Sequence, residues 1–433
     1  MTPSGQAGAV PAGPGRPRAL ENRSEDAVDF RDIPVDEQLA RLRRGVVDLV
    51  HENELRARLE RAQRTGQSLR IKLGMDPTGH DLHLGHTVVL RKLRTFQDLG
   101  HQAVLIIGDA TARVGDPSGR DRTRPVLTAE AVTAFAAGWM AQVRKVLDVA
   151  ALEVRHNSEF FAPMRFQDFL ELCGRMTVAQ MLERNDFGAR YRRGDPIGIH
   201  EFLYPLMQGW DSVCVRADVE LGGTDQLFNL HVGRDFQQAE GQEPQVLLTT
   251  PIVEGTDGTR KMSKTYDNAI GIDEPPGEIF GKLMSIPDAL MEKYFVHFTD
   301  LPEEDIRALL AGHPRHAKAR LGREVAAWLH SPAAAAEAEH RFDEVFAHGH
   351  LPDDMPAVVL SRTGLADGRI WIVELLRRAG LVASGGEARR LVRQGAVSLD
   401  GERLADPDAE VAVRTGAVLR VGKRRFARVQ LGE

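Results

Sequence analysis

Ile71-Lys72-Leu73-Gly74-Met75-Asp76-Pro77-Thr78-Gly79-His80-Asp81-Leu82-His83-Leu84-Gly85-His86 carries the pattern of a strand, a turn and the start of a helix. Ile71, Leu73 and Met75 alternate with Lys72 and Gly74, the period of a strand. Asp76-Pro77-Thr78-Gly79 is a turn signal. After His86, Val89, Leu93 and Phe96 share one helix face, and Gly100 suits the position just past a helix end. Val104-Leu105-Ile106-Ile107-Gly108 then reads as a strand buried on both faces. Strand, helix and strand in succession argue for a parallel sheet, which binds ligands beyond the carboxyl ends of its strands. Asp76–His86 and the loop from Gly108 to Arg124 fall there.

His83-Leu84-Gly85-His86 puts two imidazoles and a side-chain-free position at a helix start. Unpaired N–H groups and the helix dipole favour phosphate at such a place. Two histidines could equally do no more than cap the helix. Far along the chain, Lys261-Met262-Ser263-Lys264-Thr265 offers two ammonium groups. It follows Glu254-Gly255-Thr256-Asp257-Gly258-Thr259, a turn-rich hinge that favours a moving loop, although a solvated basic loop is the plain alternative. The two segments together suit a triphosphate attacked at its α-phosphorus with pyrophosphate leaving. That chemistry asks the protein for positioning and charge stabilisation.

The 433 residues suggest two to three domains. With 42% hydrophobic and 27% charged residues, the composition is that of a globular enzyme. No apolar run approaches the roughly 20 residues of a membrane span. The net charge of -6 does not advertise nucleic-acid binding, but from Arg369 onward 13 Lys/Arg face 8 Asp/Glu. A basic tail on an acidic body fits a local polyanion contact. Cys173 and Cys214 are the only cysteines, which provides neither a disulfide framework nor a zinc-ligand pair. A reducing, cytoplasmic location is expected.

Residues 1–33, rich in Gly, Pro, Ala and Arg, read as a disordered extension. Helical spacing begins near Val35 with Leu39, Leu42, Val46, Val47 and Val50, and continues with Leu55, Leu59 and Ala62. Residues 128–190 read as mostly helical, 197–232 as a polar helix and the loop Leu221–Gln226, and Val246–Val253 as a core strand. Helices are expected over 275–346, a linker over 347–368 and a compact unit over 369–433. In that unit Ile370, Trp371, Val373, Leu375 and Leu376 predict a helix ending at Gly380. Ser384 caps the next helix, which carries Arg389, Arg390 and Arg393 on one side. A hairpin turns at Asp400-Gly401, and two later strands flank Lys423, Arg424 and Arg425. Tyr204, Gln208 and Asp211, four and three apart, share a helix face. They form either an exposed polar face or the lining of a small ligand pocket.

His83–His86 with Lys261–Thr265 resembles the paired signatures of class I aminoacyl-tRNA synthetases. His200–Asp211, Leu221-Gly222-Gly223-Thr224-Asp225-Gln226 and Gly115-Asp116-Pro117-Ser118-Gly119 resemble bacterial tyrosyl-tRNA synthetases, from about residue 34 to the end. The resemblance implies an α/β fold in parts: a Rossmann-like parallel-sheet catalytic domain over 34–270, with a helical dimer-interface insertion near 130–190. An α-helical anticodon-side domain over 271–346 and a small α+β S4-like RNA-binding domain over 369–433 complete it. Tyrosine would react with ATP, accompanied by Mg²⁺ held through the phosphates, and then with tRNA(Tyr); a homodimer is implied.

By the same resemblance, ATP would meet Gly74, Asp76, Pro77, Gly85, Gly223, Asp225 and Thr265. Thr78 and His83 would contact its phosphates, and His86 the ribose region. Lys261 and Lys264 would hold departing pyrophosphate. Asp116, Tyr204 and Gln208 would take the tyrosine ammonium, Asp211 its phenolic hydroxyl, and Gln226 would lie near its carboxylate. Asp225 would reach the ribose hydroxyls. Arg120 and Arg124 would assist with phosphates or the tRNA end, or simply pair with Asp121. Arg389, Arg390, Arg393, Lys423, Arg424 and Arg425 would meet RNA. Three positions depart from the family: Lys72 where one branch has a substrate-touching tyrosine, Trp210 for the usual Tyr, and Thr265 for Ser. An RNA-binding regulator with a retired catalytic body and a tryptophan-specific sister enzyme are the competing readings. The intact signatures oppose the first; Asp211 and the S4-like tail oppose the second.

Overall fold

The computed structural model describes residues 29–118, 127–346, 355–361, 365, 368–422 and 425–432. Two compact units are distinguished, Met1–Ala335 and Ala336–Glu433.

The first unit carries a six-stranded sheet of β1 (Asp48–Val50), β2 (Arg70–Met75), β3 (Gln102–Ile107), β4 (Leu152–His156), β5 (Val219–Gly223) and β6 (Val246–Thr250). The order is β1-β6-β5-β2-β3-β4, parallel except for β1, which runs antiparallel to β6. The chain steps outward from β2 to β3 and β4, then returns to lay β5 on the other side of β2. That reversal opens a crevice beyond the carboxyl ends of β2 and β5. Val104–Ile107 of β3 is buried throughout, as a strand covered on both faces must be. Leu283, Phe295 and Leu321, from the helices Pro276–Met284, Met291–Phe298 and Pro314–Leu329, belong to the same apolar cluster as Leu73 and Leu105 of the sheet.

At the reversal, Lys72 of β2 stands opposite Glu220 of β5. Both side chains are fully buried, with Lys72 Nζ 2.9 Å from Glu220 Oε1. The same ammonium donates to Ser212 Oγ at 2.7 Å and to the Gln208 carbonyl at 2.8 Å. It therefore ties the helix Leu203–Val215 down onto the sheet. Pro205 lies in the first turn of that helix, where its missing N–H costs nothing.

Several expectations are corrected. Val46, Val47 and Val50 do not extend the first helix, which ends at Arg43. Gly45 turns the chain at φ +68°, where an added Cβ would lie 2.7 Å from the His297 ring, and β1 follows. Leu152–His156 is a strand inside a stretch expected to be helical, because β3 offers it a parallel edge. Leu221, Gly222 and Gly223 belong to β5, not to a loop. Phe30 and Ile33, placed in the disordered extension, are buried, and Gln38 Nε2 bonds both of their carbonyls at 2.8 Å. Residues 1–28 lie outside the described residues.

In the second unit, β7 (Ala357–Ser361) occupies part of the stretch read as a linker, and β8 (Arg369–Trp371) precedes the expected helix. The remaining strands are β9 (Val397–Leu399), β10 (Glu402–Leu404), β11 (Glu410–Ala412), β12 (Val418–Val421) and β13 (Arg425–Gly432). Five of them form the order β10-β9-β12-β13-β7, while β11 pairs β8. The hairpin β9–β10 turns through Asp400 and Gly401, at φ +50° and +87°. Ser384 caps the helix Gly385–Arg393 through the Glu387 N–H, as its sequence position indicates.

Breaking a buried ion pair strands the surviving charge and costs about 3–5 kcal/mol. Lys72→Met should lower the unfolding free energy of the first unit by that order in denaturant titration, and Lys72→Met/Glu220→Leu should recover most of it. A Lys72→Met protein as stable as the parent would contradict this role.

Candidate active site

A cavity of about 460 Å³ opens at the β2–β5 reversal. Gly74 and Asp76 enter it from the end of β2, Gly223 from the end of β5, and Thr78, His83, Gly85 and His86 from the strand-to-helix junction. Lys261, Lys264 and Thr265 line it from the opposite loop, and Asp116, Tyr204, Gln208, Asp211, Asp225 and Gln226 complete it. Pro77 is buried behind the lining. Arg120, Arg124, Lys423 and Arg424 lie outside the described residues.

At one end, His83 is the N-cap residue of the helix Leu84–Asp98, and its backbone N–H donates to His86 Nδ1 at 3.2 Å. The two rings stack with centroids 3.9 Å apart. The His86 ring thus satisfies the His83 N–H, the His83 ring makes no capping bond, and both residues line the cavity. Burial, then His86 and Lys264, push the His83 pKa down to about 2; burial and Lys264 push that of His86 down to about 4. Both rings are neutral near pH 7, so they offer hydrogen bonds while the lysines supply the positive charge. His83 Nδ1 is buried without a partner among the described residues.

The lysine loop is more anchored than its turn-rich sequence implies. Asn268, almost fully buried, bonds Asp257 Oδ2 and the carbonyls of Arg260 and Lys261, and accepts the Ser263 N–H. Met262 Sδ accepts from the Gly85 N–H at 3.2 Å. An added Cβ on Gly85 would lie 3.0 Å from the His83 ring and 3.4 Å from Met262, a close approach that any side chain would crowd. Lys264 ion-pairs with Asp81, which Gln142 Nε2 also holds at 3.1 Å. Asp225 is pushed above the usual carboxylate range by burial and by Asp116, with Lys261 acting the other way.

At the inner end lies a buried polar network. Tyr204 donates its hydroxyl to Asp76 Oδ2 at 2.9 Å, and Thr111 donates to Asp76 Oδ1 at 2.7 Å. Gln226 Nε2 donates to Asp116 Oδ2 at 2.9 Å. Asn229 Nδ2 joins Gln208 Oε1 at 2.9 Å to Gln226 Oε1 at 3.1 Å. Asp211 Oδ2 accepts from Asn157 Nδ2 at 3.2 Å, while its Oδ1 is buried with no partner among the described residues. Burial raises the Asp211 pKa to about 7, opposed by Lys72 and the Asn157 bond. A buried, unpaired carboxylate oxygen in a lined cavity is a receptor for an incoming O–H or N–H. The polar helix face is thus a pocket lining and not a solvated surface.

A family described as class I tRNA synthetases (W and Y) matches residues 64–347, and a tyrosine–tRNA ligase C-terminal domain matches residues 348–429. The chain belongs to the class I tRNA synthetases. Tyrosine–tRNA ligase of Symbiobacterium thermophilum is 55% identical over 92% of this chain and 98% of its own length. That of Thermotoga maritima is 51% identical over 92% and 98%. Among solved structures, tyrosyl-tRNA synthetase of Archaeoglobus fulgidus complexed with L-tyrosine shares the fold. Its TM-score is 0.58 at 22% identity, covering 71% of this chain and 100% of that one.

Against this synthetase background, Asn157, Asn229, Arg184 and Ser118 were missed by sequence reasoning. Arg184 holds Asn229 Oδ1 at 3.1 Å and Ser118 Oγ at 2.6 Å, so it braces the wall that carries Asp116 and Gln226. None sits in a recognisable motif position except Ser118, inside the quoted Gly115–Gly119 segment. Lys72 does not reach the cavity as a substitute for the strand tyrosine; it lies beneath it, on Glu220. Trp210 packs partly buried in the cluster of Leu206 and Phe236, under the Arg175 guanidinium.

Because the folded pKa of Asp211 exceeds the unfolded one, the folded state holds an extra proton between pH about 4 and 7. Its contribution to stability therefore falls as the pH rises through that window. Asp211→Asn should raise the melting temperature more at pH 8 than at pH 5, and an equal effect at both would contradict the shift.

Proposed function

We propose that this chain is a tyrosine–tRNA ligase: it joins tyrosine to ATP, releasing pyrophosphate, and passes the tyrosyl group to tRNA(Tyr). The observation that carries the reading is the unpartnered Asp211 Oδ1, buried at the inner end of a cavity that also contains Lys261 and Lys264. A phenolic hydroxyl fits that acceptor, and phenylalanine would leave it unpaired, a discrimination of up to about 10⁴–10⁵. The relatives that cover nearly the whole chain carry the same activity in their names.

In this mechanism the tyrosine carboxylate is already ionised and attacks the α-phosphorus in line, so no general base is needed. Thr78 and His83 contact the phosphates, His86 the ribose side, and Lys261 and Lys264 meet the charge that grows on departing pyrophosphate. Lys264 must first leave Asp81, which holds it at the cavity wall. Tyr204, Gln208 and Asp116 surround the substrate ammonium, Gln226 lies near its carboxylate, and Asp225 takes the ribose hydroxyls. Gly74, Asp76, Pro77, Gly85, Gly223 and Thr265 shape the nucleotide bed. Mg²⁺ travels with ATP on its phosphates; a nearby cation would keep Asp225 ionised despite its burial. The terminal ribose hydroxyl of tRNA then attacks the adenylate carbonyl and releases AMP.

Further parts of the reading concern assembly and RNA. Phe166, Leu170, Val178, Tyr191 and Ile199 are exposed apolar side chains within 166–199, which supports a homodimer through this region. Arg389, Arg390 and Arg393 are exposed on the helix Gly385–Arg393 and suit RNA phosphates. Arg425 is already held by Glu387 and the Leu381 carbonyl, so any RNA contact there competes with both. The helices of 271–346 would serve the anticodon side. Two free cysteines, half-buried and unpaired, accord with a cytoplasmic enzyme. Among the described residues no helix is long and apolar enough to cross a membrane.

Pyrophosphate exchange into ATP, run side by side with tyrosine, phenylalanine and tryptophan, tests the reading. Exchange with tyrosine alone is expected. Tryptophan-dependent exchange would assign the sister activity, and no exchange with any of them would leave a binding protein.

A further inference from the structure

We infer that a second cavity, on the far half of the helix Leu84–Asp98, binds a phosphate-bearing anion. Six cations, Arg41, Arg44, Arg91, Lys92, Arg94 and Lys145, line a volume of about 340 Å³. Only Asp98 and Asp300 oppose them in the lining. The site is distinct from the candidate active site: Val89 lines that cavity, while Val88 and the charged positions beyond it line this one.

Part of the positive charge has a structural use. Lys92 Nζ donates to the carbonyls of Leu42 at 2.9 Å and Arg44 at 2.7 Å, and Arg44 donates to the Thr299 carbonyl at 3.1 Å. These bonds satisfy helix-end carbonyls. They leave Lys92, only 6% exposed, and Arg44 with no carboxylate partner among the described residues. Arg41 pairs with Glu37 and Lys145 with Asp273, carboxylates outside the lining, so Lys92 and Arg44 are the two charges that stand in the recess without a counter-charge among the described residues and favour an anion there.

The existing ion pairs are easily exchanged. Arg91 pairs with Asp300, whose side chain is 93% exposed, and Arg94 pairs with Asp98, which is 54% exposed. Such pairs contribute little in water, so an incoming anion displaces them at small cost. The Arg91 guanidinium lies 4.6 Å above the Trp328 ring, which fixes its plane. The wall residue His297 reports the local potential: burial, then Lys92, Lys293, Arg44 and Arg91, lower its pKa to about 4. Planar guanidinium forks match phosphate oxygens in pairs. The phosphate can belong to an RNA backbone or to a free polyphosphate; the chemistry is shared.

Three measurements on the full chain decide the matter, and none depends on ligase activity. Crystals soaked in tungstate should show anomalous density between Arg44 and Arg91. Calorimetric titration with inorganic tripolyphosphate should show one fewer ion bound per chain in Arg44→Ser/Arg94→Ser than in the parent. If the source is RNA, the same variant should bind tRNA severalfold more weakly, with a salt slope reduced by about one to two. If it is a free polyphosphate, tRNA affinity should be unchanged while the tripolyphosphate site is lost. Absence of tungstate density, with equal tripolyphosphate stoichiometry and equal tRNA affinity in both proteins, would overturn the proposal and leave the cluster as helix-end capping.

Discussion

Everything in the catalytic unit leans on one buried charge pair. Lys72 and Glu220 face each other across the β2–β5 reversal, where the sheet changes its direction of growth. Removing two charges from water is expensive, and only their attraction and the surrounding hydrogen bonds offset that cost. The bonds come from Ser212, Gln208 and Gln245, so the helix Leu203–Val215 is fixed by the same interaction. Tyr204, Gln208 and Asp211 are carried by that helix. The helix that lines the inner end of the cavity is thus held by a pair that does not itself line it.

The cavity is electrically divided. One end has neutral imidazoles flanked by two lysines, a surface that gains most when negative charge grows upon it. The inner end has carboxyl groups held by amides, with one oxygen left unanswered. In the proposed function, an amino acid with a terminal hydroxyl would bridge these two environments, its acid end toward the nucleotide. Water or phenylalanine in the same place would satisfy only part of the wall. Keeping Asp211 Oδ1 buried without a hydrogen bond among the described residues destabilises the empty protein, a common trade at functional sites.

The core β2–helix–β3 unit was legible because its signals are local: alternation, a turn tetrapeptide, a helical face and Gly100 past its end. The strands that escaped notice, β1, β4, β5, β7, β8 and β11, are three to five residues long. Each is created by a partner elsewhere: Asp48 pairs with Thr249, and Leu152 with Ala103. Most of the residues named from motifs line the cavity, whereas those that act only through contact, and Ser118, were not singled out. Asn157 reaches Asp211 across 54 positions, and Arg184 reaches Asn229 across 45, distances over which no spacing rule operates. Lys72 stood out as an anomaly in sequence, and its burial explains it.

The central claim is that a phenol-bearing amino acid lies with its ring on Asp211 and its carboxylate at the nucleotide. The most direct measurement is a crystal structure of the chain with tyrosine and a non-hydrolysable ATP analogue. The phenolic oxygen is expected within hydrogen-bond distance of Asp211 Oδ1, and the triphosphate between the His83–His86 pair and the two lysines. A ring bound elsewhere, or an Asp211 Oδ1 still without a hydrogen bond with tyrosine present, would contradict it.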